Sequence, residues 1–163
     1  MAIRDPGHGL TPPKLAGSTR VALVIAPFYR AIVEDLALGA AAAIEAAGGR
    51  HERIEVPGAL EIPTAIRLAA RAGAFDGYVA LGCVIRGETS HYDTVCADSS
   101  RGLTLLGLDG VAIGNGILTV ENLAQAEARA DPARMNKGGG AAEACLHLIA
   151  LARRFAGEAG VVA

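Results

Sequence analysis

Residues 77–85, GYVALGCVI, form an almost unbroken apolar run that halts at a crowded polar turn. Between Arg86 and Tyr92 that turn presents a cation, a glycine, a carboxylate, hydroxyls, an imidazole and a phenol. The run reads as a buried strand, which obliges the chain to build layers that cover it. In an open α/β sheet, ligands bind in the crevice just beyond the carboxyl ends of the strands. The turn is therefore expected to face a small molecule, with His91 at its reactive end.

The rest of the chain alternates in the same way. Val21 to Ala26 is a short apolar run. Ile32, Leu36, Ala40, Ala43, Ile44 and Ala47 then recur at helical spacing until Gly48-Gly49. Arg53 to Val56 reads as a strand closed by Pro57-Gly58, and Pro63 suits the first turn of a helix bearing Ile66, Ala69 and Ala70. Ser90 and Asp93 fit the capping-box spacing, which predicts a helix from His91 to about Leu106. Val111 to Leu118 is a further strand, in which Gly114 and Gly116 mark close backbone approach. Thr119 is placed to cap a helix over Glu121 to Ala130, which Asp131-Pro132 ends. A last helix follows Gly138-Gly139-Gly140, with Cys145, Ile149, Ala152 and Phe155 along one side.

This order predicts right-handed βαβ units around a four-stranded parallel sheet, a three-layer, flavodoxin-like α/β sandwich. An extended arm is expected over 1–18, one domain over 19–157, and a short tail over 158–163.

Composition narrows the function classes. A chain of 163 residues, 52% apolar, can bury one sizeable core. Fifteen basic and seventeen acidic side chains leave −2, so no global field recruits nucleic acid or an anionic membrane. No apolar run approaches the roughly 20 residues that span a bilayer, and a cytoplasmic location is expected. Cys83, Cys96 and Cys145 lack metal-ligand spacing and read as buried, reduced thiols. His8, His51 and His147 have no ligand-like partners, so no metal site is expected. A thin sheet clad in alanine-rich helices also predicts self-association.

Each polar cluster has two readings. His91, at a helix start, sits where the positive dipole end disfavours a protonated ring, which suits a general base; equally, it is an exposed first-turn residue and Ser90 merely a cap. Gly87, Thr89 and the free N–H groups beside them can dock a phosphate. Glu61, in VPGALEIP at 56–63, either accepts hydroxyls from a polyol or completes a helix start. Phe28 either stacks on a planar ring or plugs the core. Arg129 and Lys137, the latter beside a glycine-rich helix start, either bind a phosphate or lie on a solvated face. No dinucleotide fingerprint, P-loop, zinc HExxH or GxSxG elbow is present.

VPGALEIP at 56–63, ALGCVIRGETSHYD at 80–93, GILTVEN at 116–122 and QAEARA with NKGGGAAEA over 125–144 occur in collinear order. Together they resemble the lumazine synthase family of riboflavin biosynthesis, over about Arg20 to Phe155. The resemblance implies a cofactor-free, metal-free transferase. It would condense 5-amino-6-(D-ribitylamino)uracil with 3,4-dihydroxy-2-butanone 4-phosphate, releasing phosphate and 6,7-dimethyl-8-ribityllumazine. Carried over residue by residue, Phe28 would stack on the pyrimidine, while Ala59, Leu60 and Glu61 would line the heterocycle and ribityl chain. Val84 and Ile85 would meet the pyrimidine edge through their backbone. Gly87, Glu88 and Thr89 would hold the phosphate, joined by Arg129 of a neighbouring subunit. His91 would move protons and Lys137 would add positive charge.

The resemblance further implies a homopentamer with sites between subunits, alone or built into a decamer or icosahedral shell, with the arm adding a strand to a neighbour's sheet. Three features depart from the family pattern. Asn115 stands where many members carry an aromatic that closes the pyrimidine sandwich, and Tyr29 replaces a small polar residue. Asp131-Pro132-Ala133-Arg134-Met135 replaces a glycine-bearing linker, which favours free pentamers. Asn115 also motivates a second reading, a non-catalytic flavin- or lumazine-binding or assembly protein on the same scaffold.

Overall fold

A computed structural model describes residues 9–15, 18–157 and 161–162. The chain runs β1 (Lys14–Leu15), β2 (Arg20–Ile25), α1 (Arg30–Ala46), β3 (Arg50–Glu55), α2 (Ile62–Arg71), β4 (Gly77–Ile85) and α3 (His91–Leu108). It continues through β5 (Ile113–Val120), α4 (Leu123–Ala130), α5 (Lys137–Phe155) and β6 (Val161–Val162). Four strands form one parallel sheet in the order β3-β2-β4-β5. The expected three-layer α/β sandwich is what the chain builds.

Side-chain alternation along the two central strands divides the core. On β2 and β4, Val21, Leu23, Ile25, Val79, Leu81 and Cys83 pack against the layer of α1, α4 and α5. Ala22, Val24, Tyr78 and Ala80 face α2 and α3 on the other side. Both faces are covered, which is why β4 is apolar over nearly its whole length.

One layer is held unusually close. Gly138, in the first turn of α5, abuts the backbone of Leu36 on α1, so an added Cβ would run into the Leu36 carbonyl. Gly114 of β5 likewise lies against the Ala141 backbone. The glycines expected to precede the last helix are thus inside it, because close packing there outweighs their low helix propensity. Asn136 starts the helix in the left-handed region (φ 45°), its side chain accepting the Gly139 N–H at 3.1 Å. Replacing Gly138 by alanine is expected to cost roughly 1–3 kcal/mol through overpacking, read as a lowered thermal midpoint.

Three local expectations need correction. Asn122, not Thr119, caps α4, its Oδ1 accepting the Gln125 N–H at 3.0 Å. Thr119 is still within β5, which runs on to pair Val120 with Ile85. Ser90 precedes α3 but makes no side-chain cap, because its backbone is already helical (φ −66°, ψ −4°). Cys96 is half-buried rather than buried.

β3 begins at Arg50 rather than Arg53. It is a charged edge strand whose residues lack apolar periodicity and are aligned by the ladder to β2. Arg53 reaches Glu34 of α1 through bonds of 2.7 and 2.6 Å, and that pairing holds the Glu34 carboxyl below its usual range.

Of the expected arm, residues 1–8 and 16–17 lie outside the described residues, as do 158–160 and 163 of the expected tail. Lys14–Leu15 pairs antiparallel with Val161–Val162 of the same chain, and Leu15 is buried in the core. Among the described residues no helix is long and apolar enough to cross a membrane.

Candidate active site

A cleft of about 470 Å³ opens at the carboxyl ends of β2, β3 and β4, where the fold leaves room between strand ends and helix starts. Three chain segments wall it. After β2, the turn Pro27–Tyr29 brings Phe28 and Tyr29. After β3, Pro57 to Glu61 follows the chain into α2, and after β4 come Gly87, Thr89 and the first turns of α3.

Phe28 is 76% exposed, far too open to be a core plug. Tyr29 braces it edge-on, with ring centroids 5.1 Å apart at 64°. An exposed, braced aromatic at the mouth of a cleft suits stacking on a planar ligand. Glu61 ends a turn over Ala59–Glu61, and its Oε2 lies against the place a Cβ at Gly58 would fill. Glycine at 58 therefore lets the carboxylate fold back over the turn. Val84 and Ile85 close the floor at the end of β4.

At the far side, Thr89 Oγ1 accepts the His91 N–H at 3.4 Å, occupying one of the free donors of the α3 start. His91 is exposed, and among the described residues its ring makes no hydrogen bond or ion pair. It is free to meet a ligand.

Tyr92 and Val95 also line the cleft, although neither stands out in the sequence as a site residue. The signal was available for Val95, four residues after His91 and so on the same helical face. Burial, ahead of its contact with Cys96, pushes the Tyr92 phenol up, so the hydroxyl keeps its proton and can donate.

The remaining expected residues lie elsewhere. Glu88 belongs to the same turn as Gly87 and Thr89 but is not part of the cleft wall. Asn115, on the edge strand β5, turns its Oδ1 back to the Ile117 N–H at 3.0 Å. Arg129, in the last turn of α4, donates to the Gln125 carbonyl at 3.1 Å, and Lys137 opens α5. These three sit on the contiguous group of β5, α4 and α5, and none of them lines the cleft.

Cys83 borders the cleft from β4, yet burial pushes its thiol up to about 11, and that of Cys145 in the core up to about 12. Neither is a nucleophile near neutrality. A thiol-alkylating reagent near pH 8 is expected to label Cys96 first, and Cys83 and Cys145 only after denaturant is added. Protons are held in the fold but lost by unfolded thiols above their ordinary 9.0, so stability is full below that pH and falls as pH rises through 11 to 12.

The sequence of residues 18–153 matches the family model for 6,7-dimethyl-8-ribityllumazine synthase. The chain belongs to that family. A 6,7-dimethyl-8-ribityllumazine synthase of Jannaschia sp. (strain CCS1) is 57% identical over 150 residues, covering 92% of this chain and 84% of the relative. The same enzyme of Sphingopyxis alaskensis is 56% identical over 135 residues, covering 83% and 96%. That of Methylobacterium radiotolerans is 57% identical over 144 residues, covering 88% and 87%.

Proposed function

We propose that this chain condenses 5-amino-6-(D-ribitylamino)uracil with 3,4-dihydroxy-2-butanone 4-phosphate, with the cleft at the strand ends as its site. The observation that carries the reading is convergence. Phe28, the Ala59–Glu61 turn, Val84, Ile85, Gly87, Thr89 and His91 come from distant parts of the chain and share one cavity. The proposed division of labour runs along it. Phe28 stacks on the pyrimidine, Val84 and Ile85 meet its edge, and Ala59, Leu60 and Glu61 take the ribityl chain. Gly87, Glu88 (through its N–H) and Thr89 hold the phosphate.

The chemistry then needs protons moved in both directions. The uracil amine attacks the ketone, water leaves to give an imine, phosphate is eliminated, and the second nitrogen adds to the remaining carbonyl, closing the ring as a second water leaves. His91, unencumbered at the phosphate end of the cleft, is the proton carrier in this scheme. Confining both substrates contributes as well, since pre-paid entropy is worth roughly 7–11 kcal/mol in favourable cases. The family reaction requires no metal and no organic cofactor in this scheme.

Among the described residues no Lys or Arg lines the cleft, and Arg129 and Lys137 lie on the β5–α4–α5 side. A second copy presenting that side to the cleft would supply both, together with Asn115. We therefore read the working unit as a homopentamer with composite sites. The bulky linker over 131–135 favours free pentamers over a decamer or an icosahedral shell. In support, Leu68, Leu105 and Leu108 stand exposed along a groove of about 770 Å³ between α2 and α3, apolar surface that association would cover. A cytoplasmic location accords with the three free thiols.

Mixing the purified protein with both substrates tests the reaction directly. Product fluorescence rising well above the uncatalysed background is expected. Riboflavin binding with no acceleration would overturn the synthase reading in favour of a non-catalytic flavin-binding protein.

A further inference from the structure

Arg86 is the first residue beyond β4, immediately before the Gly87–Thr89 turn. Its backbone N–H donates to the Val120 carbonyl at 2.9 Å, tying the end of β4 to the end of β5. The side chain then makes three more contacts. Nε donates to Glu121 Oε2 at 2.8 Å, and Nη1 donates to Asp93 Oδ1 at 3.3 Å. The guanidinium lies 4.1 Å from the centroid of the Tyr92 ring. One planar group thus joins the strand end, the residue after β5 and the first turn of α3, on which His91 also sits.

We propose that Arg86 is a positioning residue that holds the phosphate-binding turn and the His91 helix start in fixed register. The inference rests on the reading of residues 87–89 as the phosphate site. Two further observations set its character. The guanidinium is engaged by two carboxylates, so its charge is already compensated and it is not the cation that grips the phosphate. The side chain is 42% exposed, with Asp93 and Glu121 more open still, and ion pairs at that exposure add little to stability. What the contacts set is direction: fixing Arg86 fixes the turn that starts at the next residue.

Shape, not charge alone, is what the position needs. A flat guanidinium can reach two carboxylates and lie on a ring at once, whereas a lysine ammonium keeps the charge but not that arrangement. The step also explains why Asp93 does not close a capping box with Ser90: its carboxylate is turned toward Arg86.

The test is steady-state kinetics of the assembled wild type, Arg86→Lys and Glu121→Gln, varying each substrate in turn, beside thermal midpoints. For Arg86→Lys the KM of the four-carbon phosphate is expected to rise about tenfold. The KM of the ribitylaminouracil should stay within about twofold of wild type, and the thermal midpoint should not move. Glu121→Gln, which takes the charge from the acceptor of the shorter bond while keeping Arg86, should shift the same constant in the same direction by less. Unchanged constants in both variants would overturn the proposal. Equal rises in both KM values, or an activity loss that tracks a lowered midpoint, would also overturn it by reducing Arg86 to a structural tie. Failure of the underlying reading is separately visible: the wild type itself would then show no saturable dependence on the phosphate substrate.

Discussion

Replacing His91 by alanine is expected to lower turnover by roughly 10²–10⁴-fold, while fold and assembly survive. The side chain is exposed and its ring holds no partner among the described residues, so nothing in the core is lost with it. The backbone bond from its N–H to Thr89 Oγ1 does not depend on the side chain and persists in the variant. Because the scheme moves protons at imine formation and at ring closure, the deficit belongs in kcat and not in either KM. A variant with wild-type kcat would remove His91 from the mechanism while leaving the family assignment intact.

The second large effect concerns Arg129. Its loss to alanine should lower kcat/KM by about 10²–10³-fold, the scale expected when one donor to a developing anion is removed. In the isolated chain this guanidinium rests on the Gln125 carbonyl of its own helix and does not reach the cleft. A composite site makes a sharper statement than the single variant can. When Arg129→Ala and His91→Ala chains are co-assembled in equal amounts, some sites pair an intact His91 with an intact Arg129 from the other chain. Random assembly around a ring gives about one quarter of sites with both groups, and activity should return to about that level. Two inactive proteins that stay inactive after verified co-assembly would place Arg129 and His91 in the same subunit's site, or Arg129 in none.

The layers of this fold were legible because each helix or strand repeats one periodicity. The β4 run is apolar over its length since both faces are covered, and its bounds, Gly77–Ile85, coincide with the expectation. Elements were misjudged where a distant partner decides. Arg50 to Glu52 carry no apolar rhythm, and only the β2 ladder makes them strand. Thr119 has the composition of a cap but is consumed by pairing with Val84, which passes the role to Asn122. Three successive glycines look like an interruption, yet they lie inside α5, where α1 leaves no room for a Cβ at Gly138.

The site shows the same division. Glu61, Gly87, Thr89 and His91 follow strand ends directly, so topology alone gathers them. Asn115, Arg129 and Lys137 do not line the cleft, and the motifs that single them out carry no information about distance. The role of Arg86 was hidden for a related reason: its partners at 93 and 121 are set by tertiary geometry, not by spacing along the chain.

The tyrosines give this molecule an optical property of its own. The chain has no tryptophan and only three tyrosines. Tyr29 and Tyr92 line the cleft, whereas Tyr78 is sealed in the core beneath α2 and α3. Ultraviolet emission from the unlabelled protein is therefore a ready-made titration signal. A ring that stacks on Phe28 or enters beside Tyr92 is expected to quench the two cleft tyrosines more strongly than Tyr78 in the core.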